Sequence, residues 1–478
     1  MEKRKTKSRS VSKNNKMKKV FAVCGVAAVV MGCMMCRKPR ASALDDDGNF
    51  DPRLSGGAAT VFDISGGSFS SPIPGMSERD AHIHALGDKV FEQPFVAAPA
   101  PYYGGLGPVF NNTSCTNCHH NDGVGTPTVG TTSSSLLMRI SIPGVDAHGG
   151  PVAAPGFGGQ VQNMALFGVQ AEATVTISYA EQIFTYPDGS TASLRVPTYT
   201  LSDPYIPLPA GYLLSPRMAP ATVGMGLLEN VPESTILGFQ AANAASAGPI
   251  KGHANYVYNP YTQKTELGRF GLKANTSCLL VQVATAFQQD MGITSYVQPL
   301  KSVHGQSQWW DITDTTGTDI ADTILNAVTF YVRSLAVPAR RNVTDPQVQR
   351  GEQLFTQLQC ANCHIPTLYT GVVNGLPALS GQRIHPYTDL LVHDMGAGLA
   401  DNRPDYQATG TEWRTTPLWG IGLLEKTNGM PYYMHDGRAR TAEEAILWHG
   451  GEAQQSRDNF TGLPKSDRAA LIAFLQSL

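Results

Sequence analysis

The strongest constraint in this chain is a five-residue arrangement that occurs twice. "NTSCTNCHHNDGVG" places Cys115 and Cys118 directly before His119, and "LQCANCHIP" places Cys360 and Cys363 directly before His364. With 8 Cys and 12 His in 478 residues, a shuffled chain would hold roughly 0.003 such C-x-x-C-H motifs. A disulfide or half a zinc site explains paired cysteines, but not the histidine that follows both pairs. The spacing suits covalent haem attachment: two thiols three positions apart reach the two vinyl groups of one porphyrin, while the adjacent imidazole meets the iron. Each motif therefore predicts one c-type haem.

Composition bounds what surrounds these motifs. The length suggests two to three domains at about 150 residues each, and 42% hydrophobic residues suffice for real cores. A net charge of −2 with 15% charged residues provides neither a basic stripe for nucleic acid nor an acidic tail. The 48 Gly and 32 Pro predict many turns and long connections.

The N-terminus bears on compartment. A Lys/Arg-rich opening through Lys19 precedes "VFAVCGVAAVVMG" (20–32), an apolar run short for a membrane span, which reads as an export signal. Two cleavage points compete: "VMGC", ending at Cys33, has the lipoprotein form, and "ASA" (41–43) before Leu44 has the ordinary Ala-x-Ala form. Arg37, Lys38 and Arg40 sit awkwardly in an ordinary cleavage region and favour the first, with acylated Cys33 as the membrane contact. Both readings expect an exported chain, in the periplasm or at the outer membrane. With Cys24, Cys33 and Cys36 in the leader and four cysteines on haems, Cys278 is left over as a buried inert thiol, with no disulfide partner within the chain.

Residues 345–364 begin with Asp345 as N-cap and Pro346 at the first helical position, then set Val348, Leu354, Phe355 and Leu358 along one stripe. At the other end, "KSDRAALIAFLQSL" (465–478) starts from Ser466 as a cap and puts Leu471, Ile472, Leu475 and Leu478 on one face. Further helices are expected over Arg79–Phe91, in "ENVPESTILGFQAAN" and "LLVQVATAFQQDMG", and ending near Leu335. "ATVTISYA" and "SLRVPTYT" read as strands flanking the turn "YPDGS". The expected fold is mainly α, with two cytochrome c-like haem domains, the N-terminal one carrying a large β-containing insert. The boundaries are 1–43 for signal and spacer, 44–339 for the first haem domain with its insert at about 141–300, and 340–478 for the second.

Longer blocks carry a resemblance over nearly all of the mature chain: "SPRMAPATVGMGLLENVPES", "GRFGLKAN", "IHPYTDLLVHDMGAGLADNRPD", "EWRTTPLWGIGL" and "YYMHDGRARTAEEAILWHGGEA". They resemble the bacterial di-haem oxidoreductases, described as thiol oxidoreductases or peroxidases and distantly related to the di-haem cytochrome c peroxidases and the di-haem methylamine-utilisation enzyme. The resemblance implies a peroxidase-like oxidoreductase in which electrons enter at one haem and react at the other. Its partners would be a small redox protein or quinone-linked donor, and hydrogen peroxide or a similar oxidant. The competing class is a non-enzymatic electron-transfer protein of the cell envelope, linked to metal uptake. A thiol-exchange activity finds no free cysteine pair.

His449, in "ILWHGGEAQ", stands where the related peroxidases supply Met and the methylamine enzyme Tyr, and is expected as the sixth ligand of the second haem. Such bis-His coordination lowers the reduction potential relative to Met/His. Met434, His435, His393 and Met395 compete with it. For the first haem His82, His84, His120 and His148 are candidates, with a five-coordinate iron as the alternative. Glu229 and Glu233 are the carboxylates expected to assist O–O cleavage, although both also read as charges at a helix start. Arg414 is expected to pair with a haem propionate. Trp309, Trp310, Trp413, Trp419 and Trp448 read as porphyrin packing or an electron path. Calcium between the haems is implied only by analogy with the peroxidases; no oxygen-rich loop spells it out.

Overall fold

Capped helices stand where the apolar stripes place them in the computed structural model, which describes residues 51–130, 134–303 and 317–478. Helix α1 (Glu78–Glu92) starts at Ser77, whose hydroxyl accepts from Asp80 N at 3.1 Å. Helices α2 (Leu279–Met291) and α3 (Asp322–Arg333) follow. In α4 (Pro346–Gln357) the Asp345 carboxylate accepts from Gln347 N and Val348 N at 2.7 and 3.3 Å, and Pro346 presets the first turn. The short α5 (Ala442–Leu447) is capped by Thr441, whose hydroxyl accepts from Glu444 N at 3.0 Å. Helix α6 (Lys465–Ser477) begins after Pro464, not at Ser466, because the Pro464 carbonyl already accepts from Asp467 N and Arg468 N.

Equivalent helix pairs flank the two motifs. α1 crosses α3 at Gly87, where a Cβ would sit 2.6 Å from Tyr331 Cβ and deep inside contact with the Ala327 carbonyl. α4 crosses α6 at Gly351, where a Cβ would sit 2.6 Å from Phe474 Cβ and equally deep against the Ala470 carbonyl. Only glycine lets these backbones touch. One turn on, the rings of Phe91 and Phe355 lie 6.0 and 6.3 Å from those of His119 and His364. The same two rings pack 5.3 and 5.2 Å from Tyr331 and Phe474.

The fold is nevertheless not the mainly α, two-domain cytochrome c arrangement expected from the sequence. Seven sheets, with 20% strand, are distributed from Thr60 to Arg414 among the described residues. Five of them are two-stranded ribbons with strands of two to four residues, too short to show the alternation by which a strand is recognised. The longer strands are clearer. β1 (Leu136–Val145) runs in a four-stranded sheet; β2 (Thr174–Thr185) and β3 (Thr191–Ser202) form the hairpin expected around "YPDGS"; β4 (Leu213–Met218) pairs antiparallel with β1.

The largest hydrophobic core draws on both halves of the chain, with Phe91, Leu228 and Val337 beside Leu391, Leu423 and Trp419. A second core sets Tyr186 and Leu194 of the hairpin against Phe355, Leu447 and Phe474. Polar contacts fasten the hairpin there: Tyr186 Oη donates to Glu443 at 2.7 Å, and Arg440 pairs with Glu181 at 2.9 Å. The hairpin thus steadies α5, the helix that leads into His449. No helix among the described residues is long and apolar enough to cross a membrane. The leader, its cleavage points, Trp309 and Trp310 lie outside the described residues.

Candidate functional site

Both motifs open into one cavity of about 770 Å³. Each is wound into a tight turn, with His119 N donating to Cys115 O at 2.9 Å and His364 N to Cys360 O at 3.0 Å. This turn brings two thiols and one imidazole to the same wall. Burial pushes the Cys115 and Cys360 thiols up to about 12 and raises those of Cys118 and Cys363 as well. None has the depressed pKa of an exchanging thiol. Cys278 is half-buried, with its thiol also raised by burial.

Three imidazoles share one arrangement. With the tautomer assigned by its partner, His119 Nδ1 donates to Pro220 O (2.7 Å), His364 Nδ1 to Tyr387 O (2.9 Å) and His449 Nδ1 to Ala445 O (2.8 Å). That bond fixes the ring and leaves Nε2 with its lone pair directed elsewhere, as an iron ligand requires. Burial is the main cause that lowers His119 and His364 to about 4 and also lowers His449, so all three are neutral at pH 7.

The His364 and His449 ring centres are 6.5 Å apart. An imidazole nitrogen lies about 1 Å from its ring centre and binds a first-row metal at about 2 Å, so an iron held between two rings requires about 6 Å. The two rings are therefore spaced so that His364 and His449 could hold one haem iron between them. Of the competitors, His393 donates from Nε2 to Asp389 (2.9 Å) and from Nδ1 to Glu452 (2.7 Å), and these carboxylates favour its cationic form. His435 is stacked on Trp413 at 3.8 Å with an interplanar angle of 11°. Met434 and Met395 line the cavity without displacing the His364–His449 pairing.

Around His119 the picture differs. His82 is exposed, His84 bonds Ser334 at 2.8 Å, His120 lies 3.5 Å from Ser135, and His148 stacks on Tyr258 at 3.7 Å. None of the four is among the residues lining the cavity.

The expected catalytic carboxylates are also elsewhere. Glu229 is paired with Arg333 at 2.6 Å and accepts from Leu279 N at 2.9 Å, capping α2. The Glu233 side chain is 61% exposed, 3.9 Å from Arg269. Neither lines the cavity: Glu233 stands at the start of helix Glu233–Ala245, as the helix-start reading had it, whereas Glu229 closes the short helix Met225–Glu229 and caps α2 from outside it. Asp290, absent from the sequence expectations, does line it: Gln160 Nε2 donates to its Oδ1 at 2.8 Å, and burial raises its pKa against the opposing charge of Arg139. Asp405, also on the wall, is held ionised by Arg217 (2.8 Å) and Arg403 (3.3 Å).

Arg414 is buried on the cavity wall. Its Nε donates to Gly271 O at 2.9 Å and its Nη1 to Thr415 O at 3.3 Å, with no carboxylate in ion-pair contact among the described residues. Trp413 and Trp419 line the cavity, whereas Trp448 sits under the Arg438 guanidinium at 4.6 Å. Among the described residues no group of three or more His, Cys, Asp and Glu side chains is placed to hold a free metal ion.

Two attachment motifs on one cavity, each with a neutral and oriented imidazole, define a di-haem protein. The chain matches the family described as "Di-haem oxidoreductase, putative peroxidase" over residues 50–478 and belongs to it. The family is one of di-haem oxidoreductases. No curated protein matches it. Among solved structures, a chain of Kuenenia stuttgartiensis hydrazine synthase, pressurised with 20 bar xenon, is similar at 18% identity and a TM-score of 0.22. That match covers 34% of this chain and 57% of the other, less than two thirds of its length, and so slight a likeness carries no argument.

Proposed function

We propose that the haem held by His364 and His449 receives electrons and that the haem held by His119 is where a peroxide-like oxidant reacts. The haems, when bound, supply the redox-active iron. The carrying observation is the contrast in axial candidates: two imidazoles at ligand spacing on one side, and on the other His119 without a second cavity-lining histidine among the described residues outside the His364–His449, His393 and His435 groups. Two imidazoles favour electron transfer; one leaves a face to a small oxidant.

Asp290 takes the proton-handling role. It is a cavity carboxylate whose pKa burial raises above the ordinary carboxylate value, which favours its holding a proton, while Asp405 is kept as an anion by two guanidiniums. Trp413, whose indole donates to Leu399 O at 2.8 Å and stacks on His435, offers a rigid aromatic route along the same wall. Cys115 and Cys118 with Cys360 and Cys363 anchor the two porphyrins, and Arg414 binds a propionate.

The test is stopped-flow mixing of the haem-loaded protein, oxidised and then half-reduced, with hydrogen peroxide, following the haem absorption bands. A fast change confined to one haem, slowed roughly 10²-fold or more in Asp290→Asn, supports the assignment. Slow bleaching of both haems in either redox state defeats it and leaves an electron-transfer protein.

A further inference from the structure

The cavity wall carries more positive charge than it neutralises. Arg139, Arg217 and Arg403 stand against two carboxylates on the same wall, Asp405 between the three and Asp290 acting on Arg139. All three line the cavity. Arg217 and Arg403 are 6% and 3% exposed and make their ion pairs to the same Asp405 oxygen, Oδ2. Arg403 Nε is buried without a hydrogen-bond partner, and the Arg139 side chain makes no hydrogen bond or ion pair among the described residues. Burial draws Arg139 below its usual range and Arg403 down to about 10, with the neighbouring guanidiniums adding to the effect and Asp405, joined by Asp290 at Arg139 and Asp401 at Arg403, opposing it. A buried charge left unpaired costs several kcal/mol, so this wall is built for an anion.

The sequence pattern explains how the cluster arises. In the β1–β4 ladder Arg139 faces Ser215 and Leu137 faces Arg217, which makes the two arginines diagonal neighbours on one face of the sheet. The opposite face, with Leu136, Met138 and Ile140, packs into a separate hydrophobic core. Arg139 pairs across the sheet with Gln160, whose Nε2 donates to Asp290 at 2.8 Å, and the Asp290 carbonyl accepts from Asn111 N and Asn112 N just before Cys115, which puts Arg139 on the first motif's side of the cavity.

We propose that Arg139 and Arg217, supplied by the β insert, together with Arg403 form a carboxylate seat for the propionates of the first haem, so that the insert tunes the potential of that haem. The inference rests on the di-haem reading above. A guanidinium fork matches a carboxylate with two parallel hydrogen bonds, and a cation beside the porphyrin stabilises the reduced, less positive iron.

The experiment uses the haem-loaded full chain with Arg139→Gln and Arg139→Lys. Potentiometric titration resolves the two midpoint potentials, resonance Raman follows the propionate bending bands, and haem content is measured for each variant. R139Q is expected to lower one midpoint potential and leave the other in place, while R139K keeps both. The propionate band of one haem shifts in R139Q and R139K, because lysine cannot reproduce the two-pronged contact. If R139Q fails to fold, the band in R139K decides. Unchanged bands and potentials in variants carrying two haems overturn the seat while leaving the di-haem reading intact; a wild-type chain without two haems removes that reading itself. A free anion as occupant is the other overturning result: wild-type potentials would then move on adding acetate or phosphate, and R139Q would abolish that response.

Discussion

Replacing Gly351 by alanine tests the packing that supports the second haem. The new methyl would lie 2.6 Å from Phe474 Cβ and press into the Ala470 carbonyl, a backbone atom that cannot rotate away. Overpacking of this kind costs typically 1–3 kcal/mol, and a backbone obstacle puts it near ~3 kcal/mol. Alanine in a helix interior recovers ~1 kcal/mol over glycine. The steric term wins, leaving a net loss of about 2 kcal/mol, which corresponds to a fall of about 2 °C in Tm at roughly 2.1 cal/mol/K of unfolding entropy per residue over a chain of this length. Gly238→Ala is the matched control, since its position in helix Glu233–Ala245 has no atom within 4 Å and alanine there should stabilise. The assay is thermal unfolding by far-UV circular dichroism, with the haem bands recorded in parallel. Because Phe355 lies beside His364 and is backed by Phe474, G351A should also perturb the second haem's spectrum, while Gly87→Ala perturbs the first. G351A proving as stable as G238A would refute the close-crossing argument.

Lys273→Met should cost about 3–5 kcal/mol, because the fully buried ammonium donates at 2.8 Å to Asp401, Arg403 O and Thr409 O; an unchanged urea midpoint contradicts this. His393 titrates near 12 in the folded chain, since Asp389, Cys363 and Glu452 outweigh the burial that would lower it. A raised pKa gives stability that is complete below about pH 6.5 and is lost as pH rises toward 12, at up to about 1.4 kcal/mol per pH unit. The stability gap between wild type and His393→Gln should therefore shrink from pH 6 to pH 9, and a constant gap speaks against the ion-paired imidazolium. His449→Met should raise the second haem's reduction potential by exchanging bis-His for Met/His ligation, read by redox titration; a potential that stays put or falls counts against His449 as ligand.

The parts of this molecule that sequence reveals are those with short-range grammar. Cys115–His119 and Cys360–His364 carry their chemistry in adjacent positions, Asp345–Pro346 announces a helix start, and "YPDGS" between alternating strands announces a hairpin. What was hidden depends on distant pairing. The ribbon joining Thr60–Val61 to Val337–Pro338 has two residues a side and no pattern of its own. Gly87 and Gly351 look like helix weaknesses until the partner backbones are seen against them. Arg139 sits in an otherwise apolar strand, a local anomaly that could have flagged it; Asp290, near a helix end, looks like any helix charge until the cavity is drawn around it. Glu229 and Glu233 stand out in the sequence on residue type alone: Glu229 is engaged by Leu279 N and Arg333, and Glu233 is an exposed carboxylate at a helix start, so neither faces the cavity.

Electron paramagnetic resonance of the fully oxidised, haem-loaded protein, compared with His449→Ala, tests the central assignment most directly. The expected wild-type spectrum contains one low-spin signal of bis-imidazole type and a second ferric haem of different ligation, and only the first signal changes in H449A. Two bis-imidazole haems in the wild type, or a spectrum that H449A leaves untouched, would contradict the division of labour between His364–His449 and His119.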